Sequence, residues 1–328
     1  MKPMKSKFAE INSVIAKRDR FLVTSHLDPD GDSLGSQMAL YHSLLDRGKT
    51  VAVVNQGSVP AKYGFLDPEG VIKFSPEGLS FVPEVVIILE CPSLDRIGFV
   101  KDLIPESAIL LNIDHHNDNE NYAYVNIVDK ESSAVAETLY FLFMEGNVAI
   151  TPIIARQLYA AISSDTGRFR FGSTTSRCMS VASDLIASGA DPKEIADHLY
   201  SGMAPGTLQL LGRTLSSLKT LAHGKLGYFT ITLDDVRESG AHIQDSEGFV
   251  DYILSVQGVR VGFLFKEFSN NEIKVSVRSQ NGFDSSGFAA MFNGGGHTNA
   301  AGFTKSGTLG TIVDEVMKKA QEYFDAGN

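Results

Sequence analysis

The stretch "FLVTSHLDPDGDSLGSQMALYHSLLDRG", residues 21–48, passes from an apolar run through an acidic loop into a helical pattern. "FLVTSH" predicts a strand, and Leu34, Met38, Tyr41 and Leu45 recur on one helical stripe that Gly48 ends. Between them, "TSHLDPDGDS" (24–33) sets His26, Asp28, Asp30 and Asp32 at alternate positions. A strand that delivers polar residues into a loop before a helix is the basic unit of an open α/β sheet, where ligands bind at the carboxyl ends of the strands.

The pattern continues outward from that unit. "TVAVVNQG" (50–57), "EVVIILE" (84–90) and "AILLNIDHH" (108–116) are nearly all apolar, as strands buried on both faces should be. Two helical segments follow, "SSAVAETLYFLFMEGN" and "TPIIARQLYAAISSDTG", the second opened by Thr151 as N-cap and Pro152 at the first helical position. The expected fold class is α/β, with an N-terminal parallel sheet carrying helices on both faces and a smaller mixed C-terminal domain. "GADPKEIADHLYSGMAPG" mixes Gly and Pro with a short helix, so residues 1–188, a linker 189–206 and residues 207–328 are the expected divisions. In the last part "GYFTITLDD", "VRVGFLFKEF" and "EIKVSVRSQ" predict strands, the last two joined by a hairpin at "SNN". Helices are expected through "FVDYILSV" and from Thr311 to Phe324, around the glycine-rich "NGGGHTNAAGF".

At 328 residues, with 43% hydrophobic and 21% charged residues, the composition is that of a globular protein of two domains. The start lacks the apolar segment of a secretory signal, and no apolar run approaches the ~20 residues of a spanning helix. Cys91 and Cys178 are too few for a disulfide framework and read as free thiols in a reducing compartment, which gives a cytoplasmic expectation with no membrane partner. A net charge of -10 opposes sequence-independent binding to long nucleic acid, which relies on lysine and arginine displacing counterions from phosphates. A small anionic substrate held by a few cations is compatible with it.

His26, Asp30 and Asp32 follow the first strand, Glu90 ends the third, Asp114, His115 and His116 follow the fourth, and Asp165 ends a later segment. So many carboxylates at one sheet edge repel one another and resist burial unless divalent cations neutralise them. Carboxylate and imidazole donors without cysteine suit Mn²⁺, Mg²⁺ or Fe²⁺ better than structural zinc. A calcium EF-hand is excluded, since its loop needs glycine at the sixth position and glutamate at the twelfth, where this chain has Ser33 and Ala39.

"SHLDPDGDSLGS", "ILECPSLDRIG", "NIDHH" and "SSDTGRF" resemble, in order, the four motifs of the DHH phosphoesterases, and "VSVRSQ" with "NGGGHTNAAGF" resembles the DHHA1 accessory domain. The length and the accessory domain are similar to the bacterial nanoRNase and pAp phosphatase group. Members of that group hydrolyse oligonucleotides of two to five units to mononucleotides and 3'-phosphoadenosine 5'-phosphate (pAp) to AMP. The resemblance implies two divalent ions, Mn²⁺ first, held by His26, Asp30, Asp32, Glu90, His115 and Asp165, while Asp114 and His116 orient ligands or move protons. It implies substrate contacts at Arg278, Ser279, Gly294, Gly295, Gly296 and His297, an active-site cleft between the domains and, by analogy alone, a homodimer. A metal-activated water attacks phosphorus in this scheme, and the leaving oxygen is stabilised by metal or by a protonated histidine such as His116. Glu90 departs from the family, which usually has a bridging aspartate there; the reading adopted is that Glu90 bridges through a different rotamer. Dinucleotide phosphodiesterase activity in signalling and non-hydrolytic nucleotide sensing are the alternatives.

Overall fold

A computed structural model describes residues 2–201, 203–269, 271–280 and 282–327. The chain divides into two compact units, residues 1–202 and 203–328.

The first unit is built on six strands: β1 (Arg20–Thr24), β2 (Thr50–Val54), β3 (Ile72–Lys73), β4 (Val85–Leu89), β5 (Ile109–Asp114) and β6 (Val125–Val128). Their order is β3-β2-β1-β4-β5-β6, and every neighbouring pair is parallel. The short β3 and β6 were not evident in the sequence, because two to four residues give no readable periodicity. Winding reverses between β1 and β4, which opens a crevice at their carboxyl ends.

Strand alternation sends Phe21, Val23, Val85, Ile87, Leu111 and Ile113 to one face, where they pack with α1 (Lys2–Lys17), α2 (Gly31–Asp46), α3 (Val135–Glu145), α4 (Pro152–Asp165) and α5 (Ser176–Ala187). Helix α1 buries Phe8, Ile11 and Ile15, a periodicity within the first twenty residues that points inward. Leu22, Val86 and Ile88 face the other way, onto Ile97 and Val100. That side is covered by a 3-10 segment, Leu94–Leu103, in which Gly98 turns the backbone at φ 60 and prevents a continuous α-helix. Residues 192–200 of the expected linker form α6 (Pro192–Tyr200), whose Ile195 and Leu199 join the first core.

The second unit has β7 (Lys219–Leu221), β8 (Leu226–Ile231), β9 (Val261–Ser269), β10 (Glu272–Ser279), β11 (Gly295–His297) and β12 (Ala300–Ser306) in the order β11-β12-β10-β9-β8-β7. Only β8 and β9 pair in parallel, so the sheet is mixed. The β9–β10 pair is the expected hairpin, although Asn270 at its turn lies outside the described residues. Phe263, Phe265, Val275, Val277 and Phe303 pack with α9 (Ser285–Ala290) and α10 (Leu309–Asp325). On the opposite face Phe229, Ile231 and Leu264 pack with α7 (Pro205–Ser216) and the segment Phe249–Ser255, which is 3-10 rather than the expected α-helix. "LDD" leaves the expected strand to begin α8 (Leu233–Ser239), because Thr232 and Asp235 form a capping box there. No helix among the described residues is long and apolar enough to cross a membrane.

Candidate functional site

Asp30 and Asp32 are placed by the start of α2. Asp30 is the N-cap, its Oδ1 accepting from the backbone N–H groups of Asp32 and Ser33 at 3.0 Å each. Asp32 is fully buried and reaches the start of α3: Oδ2 accepts from Val135 N at 2.5 Å, and Oδ1 from Ala136 N at 3.1 Å and Ser36 Oγ at 2.9 Å. The positive end of α3 thus holds a carboxylate. Asp165 is the last residue of the expected helical segment, α4. Its approach depends on α2 and α4 lying unusually close. A β-carbon on Gly31 would stand 2.3 Å from Ser164 Oγ, and one on Gly35 would stand 2.6 Å from Gln157 O. These two glycines let the start of α2 meet the end of α4, which brings Asp32 beside Asp165.

The end of β1 carries His26, and the end of β4 carries Glu90. Glu90 adopts φ 50, a left-handed conformation that a side-chain-bearing residue takes at a cost of about 1–2 kcal/mol. Its carboxylate accepts from Ser33 Oγ, and the same hydroxyl lies 2.9 Å from His26 Nε2. Ser33 therefore joins residues from two strands, and His26 Nε2 stands 3.6 Å from Glu90 Oε2. At the end of β5, Asp114 is buried, with Oδ1 2.7 Å from His116 Nδ1 and Oδ2 accepting from Asn119 Nδ2 at 2.5 Å. His115 Nδ1 lies 3.2 Å from Ser132 O, and its Nε2 faces Asp165 Oδ2 at 3.6 Å.

Three sets of possible ligand atoms result, each within 4.8 Å of one another: His26, Asp30 and Glu90; Glu90, His115 and His116; Asp32, His115 and Asp165. Glu90 belongs to two sets from different strands, and His115 to two. The electrostatics match. Burial first, then the charges of Asp30 and Asp32, push the Glu90 carboxyl well above the ordinary carboxylate range. Burial pushes Asp165 up to about 8, with Asp32 and Asp30 adding to it against the opposing pull of His115. Burial also lowers His26, favouring the neutral imidazole that a metal ligand needs. Its Nδ1 is buried without a hydrogen-bond partner among the described residues. An oriented imidazole nitrogen with no partner, among carboxylates that resist ionisation together, fits a divalent cation.

Residues 20–162 match the N-terminal domain of the DHH family, and residues 224–326 match the DHHA1 domain. The chain belongs to the DHH/DHHA1 family of phosphoesterases. As a DHH/DHHA1 protein it is 29% identical over 309 residues to the bifunctional oligoribonuclease and PAP phosphatase NrnA of Thermus thermophilus, spanning 92% of this chain and 89% of that one. The crystal structure of an exopolyphosphatase-related protein from Bacteroides fragilis superimposes with a TM-score of 0.91 at 28% identity, covering 97% of this chain and 96% of that chain. RecJ from Thermus thermophilus, crystallised with Mn²⁺, shares the fold at a TM-score of 0.56 and 11% identity, covering 98% of this chain and 55% of that chain.

The residues expected to bind substrate in the DHHA1 domain divide. Arg278 stands on the less covered face of β10, where its Nε donates to Asp251 Oδ1 at 3.0 Å. Ser279 does not fit the expected role: one residue further on, alternation turns it inward, and its 5% exposed hydroxyl donates to Phe283 O at 2.9 Å and lies 2.8 Å from Ser285 Oγ. The glycine run is not a loop at a helix start. Gly295 and Gly296 lie in the edge strand β11, and β-carbons on Gly294 and Gly296 would stand 2.3 Å from Gly302 O and 2.5 Å from Ala300 O. Close packing on β12 requires those two glycines, whereas a β-carbon on Gly295 would meet nothing within 4 Å. The side chain of His297 lies outside the described residues.

Sequence reasoning missed Ser33 and Asn119. Ser33 had a signal, its place directly after Asp32 in "DPDGDS". Asn119 had none, since an asparagine in a polar loop is ordinary.

Proposed function

We propose that the chain is a metal-dependent phosphoesterase that hydrolyses oligonucleotides of two to five units to mononucleotides and pAp to AMP. The observation that carries this reading is the convergence of His26, Asp30, Asp32, Glu90, His115 and Asp165 from β1, β4, β5 and α4 into sets that share Glu90 and His115. The name of the Thermus relative supports the choice of substrates. Two divalent cations, Mn²⁺ first with Mg²⁺ and Fe²⁺ as alternatives, would supply Lewis-acid activation of water and neutralise phosphoryl oxygens.

The protein's own residues set the geometry and move the proton. Asp114 is held down to about 2: burial opposes ionisation, but the hydrogen bonds from His116 and Asn119 outweigh it. An ionised Asp114 keeps a proton on His116 Nδ1, which leaves Nε2 as the ring nitrogen that handles the transferred proton. From Nε2 His116 donates a proton to the leaving oxygen. Cys91, pushed up to about 12 by burial, stays a thiol and is no nucleophile.

The test is to incubate the full chain and Mn²⁺ with a 5'-phosphorylated diribonucleotide, pAp and cyclic di-AMP in parallel, with a His115→Ala, Asp165→Ala double variant as control. Mononucleotides from the first and AMP from the second, absent with the variant, are the expected products. Cleavage of the cyclic compound alone would move the enzyme to signalling, and activity surviving in the variant would remove both residues from the site.

A further inference from the structure

Lys266 on β9 and Lys274 on β10 are direct partners across the antiparallel ladder. Directly opposed side chains share a face with β-carbons about 5 Å apart, where like charges are unfavourable. Arg278, four residues along β10, stands on that face as well, since successive even positions alternate with the buried Ile273, Val275 and Val277. Nothing on the neighbouring β12 offsets the charge: Thr304 opposes Lys274 and Gly302 opposes Ser276.

Neither ammonium is in a salt bridge or hydrogen bond among the described residues, whereas Arg278 has Asp251 at 3.0 Å. Burial is the main force pulling the half-buried Lys266 down to about 8, with Lys274 and Arg278 acting in the same direction and only Glu247 opposing. Lysines on edge strands commonly serve to block aggregation, but β9 and β10 are inner strands of the sheet. The covering segments explain the partial burial. Leu264, two residues before Lys266, packs under α7 and the 3-10 segment, while Lys274 is exposed and Ser276 and Gly302 are only half covered. A β-carbon on Gly302 would meet only the backbone of Val275 and Ser276 within 4 Å, so β12 carries no side chain opposite Ser276.

We propose that Lys266 and Lys274 form a phosphate subsite where this partly covered sheet face opens at the exposed Lys274, one that takes a non-reacting phosphate of an oligonucleotide. The subsite is separate from the Arg278 and glycine-strand positions, and it rests on the phosphoesterase reading for the identity of its ligand. Two paired ammonium groups opposed by a single carboxylate, Glu247, are to a phosphate what clustered carboxylates are to a divalent cation.

The experiment compares the full chain with Lys266→Met, Lys274→Gln and the double variant on two substrates under Mn²⁺. One is a 5'-phosphorylated triribonucleotide, and the other is bis-p-nitrophenyl phosphate, which has no second phosphate. For the trinucleotide the double variant should raise KM about tenfold with kcat within about twofold, and flatten the dependence of log(kcat/KM) on log[salt] by about 1.4, two contacts on a single strand. Lys274→Arg should retain most of the affinity, and the small ester should be unaffected. An unchanged trinucleotide KM, or equal losses on both substrates, would overturn the subsite while leaving the phosphoesterase reading intact. If the wild-type chain turned over neither substrate, that reading would fall, and metal-free calorimetric titration with the trinucleotide would still decide the subsite: weaker binding by the double variant supports it, and equal binding overturns it. Lys274, exposed on its strand, gives a variant whose folding is not at stake.

Discussion

Carboxylates gathered in the first unit and ammonium groups gathered in the second meet the same difficulty by different means. Asp32, Glu90 and Asp114 are buried, and each accepts hydrogen bonds, Asp32 from the start of α3, Glu90 from Ser33 and Asp114 from Asn119. Lys266 is half-buried and Lys274 exposed, and neither donates a hydrogen bond among the described residues, Glu247 being the one carboxylate that acts on Lys266. Fixed acceptors in a crevice suit a cation that tolerates little error in coordination, whereas flexible stems at a partly exposed face suit the phosphates of a chain of variable length.

The largest effect should come from removing one of the crowded charges. Asp165→Asn is expected to lower Mn²⁺-supported hydrolysis at least about 10³-fold. In chelator it should melt at a higher temperature than the wild type, because the repulsion that pushes Asp165 up is gone. Wild-type protein should gain stability on adding Mn²⁺, by about 2.7 kcal/mol at a hundred times Kd, and the variant much less. A wild-type melting curve indifferent to Mn²⁺ would mean that the carboxylates are not a cation site.

Glu137 sharpens the contrast, because it is as buried as Asp32 yet carries its own counter-charge. Its carboxylate accepts from Arg177 Nε at 2.5 Å and from Ser133, and Arg177 also reaches Asp129 at 3.0 Å. Arg177→Met should cost about 2–3 kcal/mol in urea unfolding, less than for a fully buried pair because the arginine is one-third exposed. Mn²⁺ should not restore that loss. Restoration would place Glu137 in the metal site and break the distinction between paired and metal-requiring acids.

The two regions also differ in how far the sequence disclosed them. His26, Asp30 and Asp32 fall close together after β1, and Asp114, His115 and His116 are consecutive at the end of β5, so local patterns after apolar runs reveal them. Asp165 was found by motif at the end of a helical segment, but its delivery to the strand edge was not legible, because that takes two helices approaching through Gly31 and Gly35. Lys266 and Lys274 lie on different strands, and only the β9–β10 register, shifted near Glu272 and Ile273, sets them opposite each other. Ser279 failed for the converse reason, a one-residue alternation that no motif expresses.

Ser33 and Asn119 test whether the hydrogen bonds around the acids matter as much as the acids themselves. Ser33→Ala and Asn119→Ala should each weaken Mn²⁺ binding by about 10- to 100-fold while leaving the fold intact, read by metal titration of the melting temperature. Unchanged affinity in both would assign them to packing alone.

The smallest effect belongs to Lys266 and has a defined sign. Its folded value, pulled to about 8 by burial and by Lys274 and Arg278 against Glu247, lies below the ordinary lysine value of the unfolded chain. Below about pH 8 both states carry the proton, and the cost of holding it on the sheet is present in full. Between about 8 and 10.5 the folded state releases the proton while the unfolded state keeps it, so stability rises with pH relative to a chain without the group. Lys266→Met should therefore be more stable than the wild type at pH 7.5, by on the order of 1 kcal/mol once solvent screening is allowed for, and the gap should narrow by pH 9.5. Inorganic phosphate should narrow the same gap at pH 7.5 by supplying the missing counter-charge, which ties the titration to the subsite. A gap that ignores both pH and phosphate would show that the ammonium is already neutralised by Glu247, and that the second unit, like Glu137 in the first, balances its charge from within.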